Sequence, residues 1–424
     1  MPFIKYLKCA KCGRIYSLSE KLVMCRNNDL GRLDIYYDYE EIKRVLSRKD
    51  LEKRAFSMWR YFELLPPSSK QYIVTLGEGG TPLIKAKRLA EHLRLKNLYL
   101  KDETRNPTGS FKDRCMSVSV SMAIEFGFNK AVIASSGNAA AALAAYGAKA
   151  GIDVIAFVPD FASYGKIAQL LYYGAKVIKV KWTTVEDPTV KMMKLVVEKY
   201  GFYPSPSFGP FNPYQIEGPK TISFEIIEQL GWGIPDQIFI PTGAAALLTG
   251  VYRGFRDFNE LGWVDGYPKL VAVQSIGNMP FVRAWIERQD PMNIRPWDKP
   301  PKTIATGLED TFPLDGDAGL RALYTTKGYG AAVEDELILK AMKMLASLEG
   351  IFAEPSGAAG LAGLIKAIDD GMVDKDETII VLVTGHGLKD PDIVKKTVGD
   401  VPVIQPNLDD FRKVLKEFYK VEIA

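Results

Sequence analysis

Lys112 stands in the stretch TGSFKDRC at 108–115, with turn formers before it and a helix-compatible run behind it. Asn106, Pro107 and Gly109 break the chain, and Ser110 followed three residues later by Asp113 is a helix-start signature. A lysine at such a junction, between Phe111 and an Asp113–Arg114 pair, is ordinarily a solvated first-turn residue. Its other chemistry is that of an amine able to hold a carbonyl as a Schiff base. Three loops bear on the choice. Ser135-Ser136-Gly137-Asn138-Ala139 follows the apolar KAVIA, Thr242-Gly243-Ala244-Ala245-Ala246 follows QIFIP, and Thr384-Gly385-His386-Gly387 follows IIVLV. A helix start with free backbone N–H groups binds anions, and the first loop suits a carboxylate while the second suits a phosphate. Small residues at these points also serve merely to let a helix pack close to its strand, so no single loop is decisive. GxGxxG and GxxxxGK[ST] are both missing, which removes the dinucleotide and NTPase readings. A placed lysine combined with anion-friendly loops fits pyridoxal phosphate, with the aldehyde on the lysine and the phosphate on a helix start.

Other chemistries find less material. With two histidines, His92 in a helical pattern and His386 in TGHGLKD, and no HExxH, neither a histidine-built metal site nor a Ser-His-Asp triad is expected. Cys9, Cys12 and Cys25 read as half a zinc ribbon whose fourth position, with two residues between it and Cys25, holds Asn28 in place of a soft ligand; no metal is assigned. Cys115 is expected to pack as a small hydrophobe. A net charge of +4 with no block of like charges implies no nucleic acid. No apolar run is long enough for a membrane span and the start MPFIKYLKCAKCG carries no signal-peptide pattern, so a cytoplasmic protein without a membrane partner is expected.

The elements that must position these residues alternate. Strand-length apolar runs (KNLYLKD, KAVIASS, IDVIAFVP, AKVIKV, DQIFIPTG, KLVAVQS, ETIIVLVTG) are separated by amphipathic helical stretches, the pattern of parallel sheets buried on both faces. The fold class is therefore α/β, with two open, mainly parallel-sheet α/β domains and a small N-terminal ribbon-like and helical extension. Expected boundaries are 1–70 for the ribbon-like segment and helical arm, 71–109 with 216–400 for a large domain, 110–215 for a small one, and 401–424 for a C-terminal helical tail. Ligands bind such sheets at the carboxyl ends of the strands, where the glycine loops lie.

The ordered set GEGGTPL (77–83), KDETRNPTGSFKDR (101–114), SSGNAAAALAAYGAKAGI (135–152), EGPKTISFEI (217–226) and TGHGLKD (384–390) resembles the threonine synthases, pyridoxal-phosphate enzymes of the tryptophan-synthase-β group, fold type II. The resemblance runs from about 70 to 395, and the cysteine region looks like a decayed form of a ribbon that many members carry. It implies a lyase converting O-phosphohomoserine and water to threonine and phosphate, a small amino-acid substrate and a homodimer. By the resemblance Lys112 is the catalytic residue and bears the cofactor beside Phe111. Asn138 meets the ring's 3-oxygen, Ser135, Ser136 and Ala139 surround the substrate carboxylate, Gly243, Ala244, Ala245, Ala246 and Leu247 bind the phosphate, and Thr384 faces the ring nitrogen. Glu354 in FAEPSGAAG lines a loop near the ring.

The chain also departs from that family. NPYQIEGPKT places Gln215 where the family has an arginine that grips substrate phosphate, and a neutral amide replaces a bidentate cation poorly. Lys101 and Arg114 are the cations that could cover for it. PTGAAALLTG lacks the usual glycines and asparagine, and EPSGAAG leans toward serine/threonine dehydratases. The alternative is thus a serine/threonine dehydratase or β-replacement enzyme, which needs no phosphate clamp. A catalytically silent sensor is disfavoured by retention of Lys112, Asn138 and Thr384 together, and a zinc-dependent nucleic-acid module by the missing fourth ligand and low charge.

Overall fold

The computed structural model describes residues 3–27, 29–162, 164–182, 187–398 and 401–422. An antiparallel sheet comes first, ordered β2-β1-β3, from β1 (Ile4–Cys9), β2 (Ile15–Tyr16) and β3 (Leu33–Tyr37). The chain then enters a larger sheet through β4 (Leu83–Lys85) and β5 (Asn97–Asp102), and leaves it for a four-stranded one. That smaller sheet holds β6 (Lys130–Ala134), β7 (Asp153–Pro159), β8 (Lys176–Val180) and β9 (Tyr203–Pro204), all parallel in the order β8-β7-β6-β9. It returns with β10 (Gln237–Pro241), β11 (Lys269–Ser275), β12 (Tyr329–Val333) and β13 (Thr378–Val383). The six-stranded order is β12-β11-β10-β13-β5-β4, parallel except for β4 on β5. The α/β class with mainly parallel sheets follows from the near-continuous apolar runs: Ile379 through Val383 are all fully buried, each worth about 1.5–3 kcal/mol of apolar burial.

The helices that position the site are α1 (Lys112–Phe126), α2 (Asn138–Ala150), α3 (Thr221–Gln229), α4 (Ala246–Glu260) and α5 (Pro355–Asp369). Left-handed glycines stop the first two, Gly127 at φ 85° and Gly151 at φ 70°. The alanines of the first two turns of α2, Ala139 to Ala142 with Ala144 and Ala145, are buried and let it lie close against α1. Cys115 is buried as a small core residue and His92 is exposed.

The helical arm, the two-residue β9 and β12 differ from the sequence reading. The helical arm is a set of short pieces, Tyr39–Val45, Arg48–Glu52 and a 3-10 turn at Met58–Leu64. Ser47 starts the second piece by accepting from the Asp50 N–H while Asp50 reaches back to it, which ends the first helix at an extended Leu46. β12, from the glycine- and alanine-rich YGAAV, was hidden by its small side chains. Residues 1–389 form one compact unit, and 390–424 a second that contains helices Pro391–Val398 and Leu408–Glu417. Among the described residues no helix is long and apolar enough to cross a membrane.

Candidate active site

Beneath the lysine loop lies a fully buried charge cluster. The Arg114 guanidinium donates to Glu103 (2.7 and 2.8 Å), to Glu225 (2.6 and 2.8 Å), and to the Thr221 and Thr81 hydroxyls. Lys101 Nζ donates to Glu225 Oε2 and the Thr81 carbonyl, both at 2.7 Å, and to Gln229 Oε1 at 2.9 Å. Glu225 also accepts the Gly80 N–H at 2.8 Å and the Thr81 N–H at 3.2 Å. Two cations balance two carboxylates with every charge hydrogen-bonded, the condition under which buried ions are tolerated. Burial pushes the Glu225 carboxyl upward, but Arg114 and Lys101 outweigh it and hold it at about 2. The cluster welds GEGGTPL, KDETRN, KDR and EGPKTISFEI together and so fixes where α1 begins. It also overturns one expectation: Lys101 and Arg114, both without solvent exposure and fully committed, do not cover for Gln215.

From that base α1 starts at Lys112. The loop before it is stitched to the end of β13: the Phe111 N–H donates to Thr384 O at 3.0 Å, the His386 N–H to Gly109 O at 2.9 Å, and Ser110 bridges Gly385. Asp113 turns back to accept the Thr108 N–H and hydroxyl at 3.1 and 2.9 Å, and burial raises its carboxyl to about 7. Lys112 is thereby held half-buried, its Nζ 4.9 Å from the Phe111 ring centroid and donating to Ser207 Oγ at 2.8 Å. Ser207 is buried at φ 62°, a left-handed conformation that costs a non-glycine residue about 1–2 kcal/mol. Such strain is characteristic of functional sites. No periodicity or motif marks this serine, and sequence reasoning missed it.

Of the other expected residues, Asn138 and Glu354 meet at the same strand end, where Thr384 also stands, and the rest stand at the ends of other strands. Asn138, first residue of α2, donates to Glu354 Oε1 at 2.6 Å. Both crowd Gly385, where an added Cβ would lie 2.1 Å from Glu354 Oε1 and 3.2 Å from Asn138 Nδ2. Ser135 and Ser136 are half-buried at the end of β6, Ser135 Oγ accepting the Gly137 N–H, and Ala139 is buried behind them. Thr384 is nearly buried at the end of β13. Gly243 through Leu247 form the turn into α4, with Ala245 at φ 70° as the cap.

Facing that turn is a second residue the sequence did not flag. Asp310 Oδ2 lies so near Gly243 that an added Cβ would be 2.4 Å away. Burial raises its carboxyl to about 6, while Lys112 and the Ala244 N–H pull the other way. One carboxyl group thus senses both the lysine and the phosphate loop. Asp310 lies in an irregular stretch rich in proline and glycine, where periodicity gives no signal.

The residues fit pyridoxal phosphate. The amine acts electrostatically on the carboxyl that faces a helix start whose first N–H groups have no helical partners, Ser110 and Thr249 keep buried hydroxyls with no partner among the described residues, and an added Cβ at Gly243 or Gly385 would crowd its neighbours.

Comparison with known proteins agrees. The family model described as "Pyridoxal-phosphate dependent enzyme" matches residues 74–385. The threonine synthase of Methanocaldococcus jannaschii is 42% identical over 411 residues, 97% of this chain and 99% of that protein. That of Methanosarcina acetivorans is 42% identical over 411 residues, covering 97% and 98%. This chain belongs to the threonine synthase family of pyridoxal-phosphate-dependent enzymes. Among solved structures, processed threonine deaminase isoform 2 from Solanum lycopersicum aligns with a TM-score of 0.64, at 24% identity over 75% of this chain and 82% of that one, and shares the fold. Maize serine racemase gives 0.63 at 24% identity over 75% and 91%. In this threonine synthase relative, Gln215 is sealed from solvent and neither amide atom has a partner among the described residues. Gln215 therefore does not face open space.

Proposed function

We propose that the chain converts O-phosphohomoserine and water to threonine and phosphate, with Lys112 as the residue that bears the cofactor and moves the protons. The observation that carries this reading is the placement of Lys112 Nζ, held on Ser207 and sensed by Asp310 beside the α4 turn. When bound, the cofactor supplies an electron sink for carbanions next to the amino group. The amine of Lys112 takes the Cα proton and serves the proton transfers at Cβ and Cγ as phosphate leaves Cγ and water adds at Cβ. Ser207 aims the amine, and the N–H groups of Gly243–Leu247 would hold the cofactor phosphate. Asn138, steadied by Glu354, and Thr384 would flank the cofactor ring, with a neutral hydroxyl from Thr384, and Ser135, Ser136 and Ala139 would shape the carboxylate pocket. In this reading the four-stranded sheet belongs to the small domain of 110–215 and the six-stranded sheet to the large one, and the enzyme works in the cytoplasm as a homodimer. Phosphate release from O-phosphohomoserine by the cofactor-saturated protein is the test; release of ammonia from serine or threonine in its place would favour a dehydratase.

The substrate phosphate needs a cation, and Lys389 is placed for it. Its stem lies 3.3 Å from the Cβ position of Gly109, its Nζ donates to Gln169 Oε1 at 2.6 Å, and it acts electrostatically on Asp113. Lys389→Ala should raise KM for O-phosphohomoserine by tenfold or more, about 1.4 kcal/mol of lost binding, with a smaller change in kcat. An unchanged KM would remove Lys389 from substrate recognition.

Asp310 gives a pH signature. Its carboxyl is raised, so it is neutral below about 6 and anionic above, where it opposes a phosphate in the same turn. Cofactor affinity should weaken on the order of tenfold, about 1.4 kcal/mol, as pH rises through that value. Asp310→Asn should flatten that part of the profile in a fluorescence titration; parallel profiles for the two proteins would show that Asp310 does not face the phosphate.

A further inference from the structure

The cysteine region is unused by this chemistry, yet its side chains converge. Sγ of Cys9, Sγ of Cys12, Sγ of Cys25 and a carboxylate oxygen of Asp29 all lie within 4.8 Å of one another. The β1–β2 hairpin presents the first two: Cys9 ends β1, Gly13 at φ 72° turns the chain, and the Gly13 N–H returns to Cys9 O at 3.0 Å. The Cys12 N–H points at Cys9 Sγ at 3.4 Å, a donor that favours a thiolate. Cys25 enters from the second loop, with its Sγ 3.6 Å from Cys12 Sγ and 3.3 Å from the Tyr16 hydroxyl. Asp29 is held by the Gly31 N–H on Oδ1 at 2.9 Å and by Lys11 Nζ on its carbonyl at 2.8 Å. Gly31 backs the group closely: an added Cβ would lie 2.3 Å from Cys9 Sγ and 2.9 Å from Asp29 Oδ1.

The geometry points to a structural metal site, Cys9-Cys12-Cys25-Asp29, that takes one tetrahedral zinc ion. Metal–sulfur bonds of about 2.3 Å arranged tetrahedrally put sulfurs roughly 3.8 Å apart, the scale of the 3.6 Å Cys12–Cys25 separation. Four protein ligands leave no open position, so the site is closed and does not activate water. Three thiolates select zinc over calcium or magnesium, and binding releases the thiol protons to solvent. The spacing argument sought a soft ligand at Asn28, which lies outside the described residues; the carboxylate one residue on completes the proposed set. Loss of the ion would release the loop that leads to Arg32. That residue is buried, pairs with Asp34 and Asp317, and lies 3.6 Å from Asp315, whose N–H donates to Ala244 O at 2.9 Å.

The test uses the full chain purified without chelator. Elemental analysis should find one zinc per chain after dialysis, and cobalt exchange should give an intense thiolate-to-cobalt absorption band. Cys12→Ser should abolish retention, while Asp29→Ala should shift the cobalt spectrum and weaken zinc affinity by tenfold or more in a chelator competition. A metal-free protein whose three N-terminal thiols react freely, a Cys12–Cys25 disulfide found by mass spectrometry, or an Asp29→Ala variant with unaltered spectrum and affinity would each overturn the assignment. These readouts are independent of turnover.

Discussion

Lys112→Ala should reduce phosphate release from O-phosphohomoserine at least 10³-fold, on the order of 4 kcal/mol of barrier, and leave the fold in place. General acid–base catalysis alone supplies about 10²–10⁴ in rate, and this amine is asked to act at several carbons as well as to hold the cofactor. Stability should change little. The lysine is half-buried and donates to Ser207, whereas its neighbours Asp113 and Arg114 carry the buried contacts. The measurement pairs turnover with a thermal melt and the absorbance of the bound cofactor. Lys112→Arg is the companion, since it keeps the positive charge beside Asp310 while removing the amine that can hold an aldehyde. Turnover by the arginine variant at the native rate would show that charge alone is required and would sink the role assigned here.

Glu225→Ala carries the larger stability effect. It leaves Arg114 and Lys101 facing each other without their shared carboxylate, and removing one member of a buried ion set costs about 3–5 kcal/mol. That is a large part of the roughly 5–15 kcal/mol that typically holds a protein folded. A urea midpoint within error of the native one would refute the account of the cluster. The same residue predicts acid behaviour. Its folded-state carboxyl sits at about 2 against an ordinary 4.5, so its contribution is complete above about 4.5 and is lost as pH falls toward 2. Asp34, beside Arg32 and Arg253, is also held at about 2 against 3.8 and acts in the same direction.

What could be read from sequence was what repeats or punctuates. Continuous apolar runs gave most of the strands of both parallel sheets because a strand covered on two faces has no polar side to confuse it. Lys112 stood out between turn formers and a helix start, the loops of Asn138 and Thr384 because small residues follow strand-length runs, and the roles of those two came from the resemblance. The motifs around them were harder to apportion: Lys101 and Arg114 read as cations that could cover for Gln215, and in three dimensions they are foundation stones. Ser207 and Asp310 were invisible for the opposite reason. Each lies in irregular chain, and each matters through a neighbour far away in sequence, 95 residues from Ser207 to Lys112. Ser47 broke the expected arm through a side-chain cap that competes with the helix periodicity around it.

Arg32 bears on how the chain is made. Its partner Asp317 is 285 residues distant, Tyr37 donates to Glu217 across 180, and Arg253 returns to Asp34 across 219. At about 5–20 residues per second on the ribosome, the first sheet waits roughly 15–60 s before the acid meant for its buried arginine exists. Until residue 217 is made β1–β3 hold only local contacts, Glu217 and Arg253 then join them, and Asp317 arrives last, so the N-terminal sheet emerges first and is completed late. Translation arrested before residue 317 should leave it accessible to protease, although every residue of that sheet has already been synthesised.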